Sequence, residues 1–96
     1  RHSALLGKKI ECVGLLGGSG SFAIDAAKAK NCDVFITADM KYHDFFKGEN
    51  QILLVDVGHY ESEQFTKKII LEYLRKNFPN FAFISSKTDT NPVHYL

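Results

Sequence analysis

The chain predicts an α/β fold, a mostly parallel four-stranded sheet built in the order β-α-β-α-β-α-β and flanked by helices. Three observations predict it. The short apolar run at 52–57 is almost continuous, which is how a strand buried on both faces of a parallel sheet reads. Helix-like segments separate the runs, and the connections are short, as right-handed crossovers between parallel strands require. Each of the first three runs ends in a turn-forming or acidic segment that hands over to a helix. Ninety-six residues suit one small domain, so 1–96 is expected to be a single α/β domain.

Taken in order, Ile10 to Leu16 is the first predicted strand, and the turn Gly17-Gly18-Ser19-Gly20-Ser21 follows it. An Ala-rich helix runs from about Phe22 to Lys30, and Asn31-Cys32-Asp33 breaks it. Val34 to Ile36 form the second strand, which ends at Thr37-Ala38-Asp39. A short helix from about Met40 to Lys47 stops at Gly48, a natural residue after a helix end. The Ile52 segment, closed by Gly58, is the third strand. A helix from about Glu61 to Asn77 places Phe65, Ile69, Ile70, Tyr73 and Leu74 on one stripe, suited to packing on the sheet. Lys67, Lys68, Glu72 and Lys76 lie opposite, and Pro79 closes the helix. Phe81 to Ile84 is the fourth predicted strand, and Ser85 to Pro92 is a polar tail.

Composition removes several function classes. Twelve basic and eleven acidic residues give a net charge of +1, and no run of Lys or Arg exceeds two. A nucleic-acid partner is therefore not expected, since such domains cluster their basic residues. No apolar stretch approaches membrane-spanning length and no signal peptide precedes the first strand, so a cytoplasmic protein without membrane contact is expected. Cys12 and Cys32 form no C-x-x-C pair and read as two reduced thiols of such a protein. The opening on Arg1 suggests a piece of something longer.

Chemistry concentrates after the strands, where open α/β sheets place their ligands. In ILLVDVGHYESE the apolar run hands over at Gly58 to His59, Glu61 and Glu63 at a helix start. His59 and Glu63 stand four apart, so they share a helix face and can ligate a divalent metal; the alternative is a capping histidine beside a solvated glutamate. Asp39 and His43 repeat that spacing after the second strand, the alternative there being an N-cap and a partly buried helix residue. Gly18, Ser19, Gly20 and Ser21 can cradle an anion with backbone amides, a serine capping the helix, or can simply make a tight turn. Gly18, Gly20 and Ala23 also fit G-x-G-x-x-A, with Asp39 about twenty residues on, as in a dinucleotide-binding domain.

The succession LGGSGSF, ITADMKYHDFF, LVDVGHYESEQ and SSKTDTNPVHYL resembles the C-terminal half of the NIF-three-like family, often labelled GTP cyclohydrolase I type 2 homologues. The likeness runs from about Lys8 to Tyr95, and implies part of a larger two-domain fold. It implies a site for two divalent metal ions, whether zinc, iron or manganese, with His59 and Glu63 as ligands from G-H-x-x-x-E. The missing N-terminal half would supply a His-His pair and an aspartate. Asp39 and His43 resemble positions beside the metals, in a supporting or proton-handling role, although Ala38 stands where the family commonly has glycine. The implied function is a metal-dependent hydrolase acting on a nucleotide or phosphorylated small molecule, in a ring-shaped homo-oligomer. A non-catalytic metal-binding or protein-interaction role is the alternative.

Overall fold

The structure is a computed structural model that describes residues 1–95. These divide into two compact units, the first spanning Arg1–Glu63 and the second beginning at Gln64, where the sequence suggests a single domain. The first unit is built on strands β1 (Val13–Ser19), β2 (Val34–Ala38) and β3 (Leu53–Asp56), hydrogen-bonded in the order β1-β2-β3. Both pairings are parallel, with Val34 opposite Val13 on one side and Leu53 on the other.

Among the described residues the sheet thus has three strands rather than the predicted four. Phe81 to Ile84 is irregular, with Ile84 96% exposed. Its apolar composition suits a strand, but a strand is held by a neighbour's ladder, and the second unit has no other strand among its described residues. Conversely, the first residues add pairing that composition does not signal. Arg1 to Ser3 run antiparallel along the free edge of β3, Ser3 N–H donating to the Leu54 carbonyl (2.9 Å) and Asp56 N–H to that of Arg1 (2.8 Å).

Helix α1 (Ile24–Ala29), entered through a 3-10 turn at Ser21–Ala23, links β1 to β2. Ile24 and Ala27, three apart, fall on its buried face. They join Phe35, Met40, Ile52 and Leu54 in the core, with Leu16, Ala23, Cys32 and Phe45 packed around it. Between β2 and β3 the predicted short helix is a 3-10 segment, Tyr42–Gly48. Its left-handed exit falls on Glu49 and Asn50, not on Gly48, which is buried against Leu54. Only β2 is buried almost throughout; Val13 and Leu15 on β1 are 53% and 74% exposed. The first strand is therefore covered on one face, and on β3, expected to be buried on both faces, Leu54 and Asp56 are buried while Leu53 and Val55 are half-buried.

After β3 come α2 (His59–Glu63) and α3 (Thr66–Asn77), where one helix over 61–77 is predicted. The break at Gln64 and Phe65 contains neither Gly nor Pro, so no local signal marks it. On α3, Ile69, Ile70 and Tyr73 are exposed. No helix among the described residues is long and apolar enough to cross a membrane.

Candidate functional site

The carboxyl ends of the three strands meet around one imidazole. At the end of β3 the chain turns sharply through Gly58, whose φ of 87° is the left-handed conformation that glycine adopts without strain. A Cβ there would strike the Glu61 carboxylate. The turn is braced by buried Asp56, which accepts the N–H of Gly58 (3.0 Å) and of Met40 (3.1 Å) and pairs with the Arg1 guanidinium. Burial alone would push the Asp56 carboxyl up, but these donors together hold it below the usual carboxylate range. One side chain thus locks the end of β3 to the segment leaving β2.

His59, the first residue of α2, is held from two sides. Its Nδ1 lies 2.6 Å from Asp39 Oδ2, and its Nε2 lies 3.2 Å from Glu63 Oε2 one helical turn on. Asp39 reaches it because the chain leaves β2 with Asp39 in the left-handed region, φ 56°, which Asp tolerates better than most residues. The Asp39 hydrogen bond and charge, followed by the Glu63 charge, raise the imidazole above its ordinary value and favour its protonated form. Such a ring donates to both carboxylates.

The glycine-rich stretch forms the floor. β1 runs on through Gly17 and Gly18 with an irregular register between Leu15 and Ser19, and Gly18 takes φ 67°. Its N–H donates to Ser62 Oγ (3.0 Å), and its carbonyl accepts from Thr37 Oγ1 (3.0 Å). Ser62 Oγ in turn donates to the His59 carbonyl (2.8 Å). A Cβ on Gly18 would run into the Glu63 carboxylate and reach within 3.5 Å of His59 Cε1. Glycine is needed here for both conformation and space.

Of the residues singled out from the sequence, His59, Glu63 and Asp39 come together. His43 does not join Asp39: its ring lies edge-on to Tyr42 (5.2 Å between centroids) and stacks on Phe46 (6.4 Å). The acid four residues before it is taken by His59, which opens the helix after the next strand. In the anion-cradle candidate, the Gly18 amide is engaged by Ser62, the Gly20 carbonyl accepts from Ala23 N–H (2.9 Å), and Ser19 is exposed. Ser21 opens the 3-10 turn, which no serine side chain caps. Ser62, Thr37 and Asp56 escaped the sequence reading. Ser62, three residues after a helix-opening histidine, was the one with a local signal.

The donor set fits a divalent ion in part. With Nδ1–H held by Asp39, the Nε2 lone pair of a neutral His59 faces the Glu63 carboxylate, the usual way a carboxylate orients a ligating imidazole. Among the described residues no group of three or more His, Cys, Asp and Glu gathers to hold a metal alone.

A family model described as Duf34/NIF3 (NGG1p interacting factor 3) matches residues 1–92. A GTP cyclohydrolase 1 type 2 homolog of Campylobacter jejuni is 36% identical over 90 residues, covering 93% of this chain and 35% of its own length. The Streptococcus pneumoniae protein of the same name is 33% identical over 97 residues, covering 95% and 36%. Among solved structures, Staphylococcus aureus protein SA1388 superposes with a TM-score of 0.78 at 26% identity, covering all of this chain and 33% of its own. A Bacillus cereus protein related to NIF3 gives 0.74 at 30% identity, covering 100% and 28%. The chain thus spans about a third of the length of these relatives.

Proposed function

We propose that this chain, which belongs to the Duf34/NIF3 (NGG1p interacting factor 3) family, contributes His59 and Glu63 to a dinuclear divalent-metal site completed by the rest of the full-length protein. The observation that carries the proposal is the His59 ring, oriented by Asp39 through Nδ1 and turned toward Glu63 through Nε2. When bound, such ions make hydroxide available near neutral pH and polarise the bond under attack. The work of this chain is orientation. Asp39 holds the ring in the tautomer whose Nε2 can ligate, Ser62 pins the first turn of α2 to β1, and Gly18 leaves the Glu63 carboxylate its space.

We propose hydrolysis of a nucleotide or phosphorylated small molecule as the reaction. The relatives' name, GTP cyclohydrolase 1 type 2 homolog, makes GTP the first substrate to try. Elemental analysis of the full-length protein purified without chelator is the test. About two ions per chain are expected, with loss of metal in His59→Ala and in Glu63→Ala; unchanged stoichiometry in both variants would overturn the assignment. Metal-loaded protein that turns over neither GTP nor a phosphoester panel would leave a non-catalytic metal-binding role.

A further inference from the structure

A second pair of reactive side chains lies at the other edge of the sheet. Cys12 immediately precedes β1 and Cys32 stands two residues before β2, at the strands' amino ends, whereas Asp39, His59 and Glu63 follow their carboxyl ends. The two Sγ atoms are 3.5 Å apart, the Cys12 thiol donating to Cys32, and both residues are half-buried. Backbone hydrogen bonds fix their separation. Asp33 N–H donates to the Cys12 carbonyl (2.8 Å), and the Asp33 carboxylate accepts Cys12 N–H (2.9 Å) and pairs with Lys8 (2.7 Å). Gly14 leaves room beside them, for a Cβ there would touch Cys32 Sγ at 3.4 Å. A disulfide needs its sulfurs about 2.0 Å apart, so side-chain rotation alone has to close the gap.

We propose that Cys12 and Cys32 are a reversible dithiol–disulfide pair, closed by low-molecular-weight disulfides such as oxidised glutathione. The Cys12 thiolate attacks one sulfur of oxidised glutathione, forming a mixed disulfide and releasing the first glutathione thiolate. Cys32 then loses its proton and attacks Cys12 Sγ, and the second glutathione leaves as thiolate. The protein's two thiols are oxidised, one glutathione disulfide is reduced, and the two released protons are taken up by the two glutathione thiolates. The hydrogen bond from Cys12, burial and the Asp33 charge push the Cys32 thiol up, which suits it to the second step rather than the first. Closure ties together the amino ends of β1 and β2, whose carboxyl ends carry Gly18 and Asp39.

The test uses the native full-length protein incubated with oxidised glutathione, digested with trypsin without reduction and mapped by mass spectrometry. Cleavage at Lys9, Lys28, Lys30 and Lys41 leaves Cys12 in the peptide 10–28 and Cys32 in 31–41. The expected product is these two peptides joined, lighter than their sum by two hydrogens, from protein that runs as a monomer on a non-reducing denaturing gel. Dithiothreitol should release them, and the oxidised protein should melt several degrees higher than the reduced. Cys32→Ser should stop at a glutathione adduct on Cys12. A wild-type map with only glutathione adducts, with cross-links between chains, or with both thiols unmodified would overturn the proposal.

Discussion

Asp39 does at residue scale what its own sequence neighbourhood does not announce, charging and orienting a histidine twenty positions away. Because its anion favours the imidazolium, Asp39→Asn should lower the His59 titration midpoint, which in the wild type should lie above the ordinary 6.5; imidazole NMR of metal-free protein reads this directly. A metal takes the neutral ring, so wild-type affinity should weaken as pH falls through the His59 midpoint. In the full-length protein Asp39→Asn should keep the metal stoichiometry and lose about 10–100-fold in affinity, as loss of a carboxylate behind a ligating histidine does. Gly18→Ala asks more of the fold. It forces a side chain into a left-handed position, at a cost of about 1–3 kcal/mol, and drives a methyl into the Glu63 carboxylate. Its melting temperature and bound metal should fall together.

At the scale of elements, α2 is too short to stand on helix propensity, and its placement depends on side-chain ties. Ser62 Oγ joins it to β1 through the Gly18 amide, and Thr37 Oγ1 holds the other side of the same peptide segment from β2. Ser62→Ala should therefore cost about 1 kcal/mol, seen as a lower denaturant midpoint with an unchanged slope. The predicted helix over 61–77 is divided for a related reason. Apolar periodicity describes which residues share a face, and it carries no information about a two-residue break at Gln64 and Phe65 that no glycine or proline marks.

For the whole molecule, two carboxylates tie distant segments, and both are held below the usual range. The Lys8 ammonium and the N–H groups of Glu11 and Cys12 depress Asp33, while Gly58, Arg1 and Met40 outweigh burial at Asp56. A depressed carboxyl contributes stability above its unfolded value and loses it as pH falls through the folded one. The melting temperature should therefore hold near neutrality and drop below about pH 4. Asp33→Asn should melt lower at neutral pH and fall less steeply in acid. The sequence by itself determined the α/β class with its first three parallel strands, the family through four spaced motifs, and the juxtaposition of His59 and Glu63, because strand runs and a four-residue helical repeat are local properties. Tertiary structure decided that Asp39 serves His59 while His43 stacks on Phe46, that Ser62 closes on Gly18, that Cys12 meets Cys32, and that Phe81 to Ile84 stays irregular. Each of those depends on which chain segment lies alongside another, and hydrogen-bond partners across a sheet are set by register between strands, which no single stretch of sequence encodes.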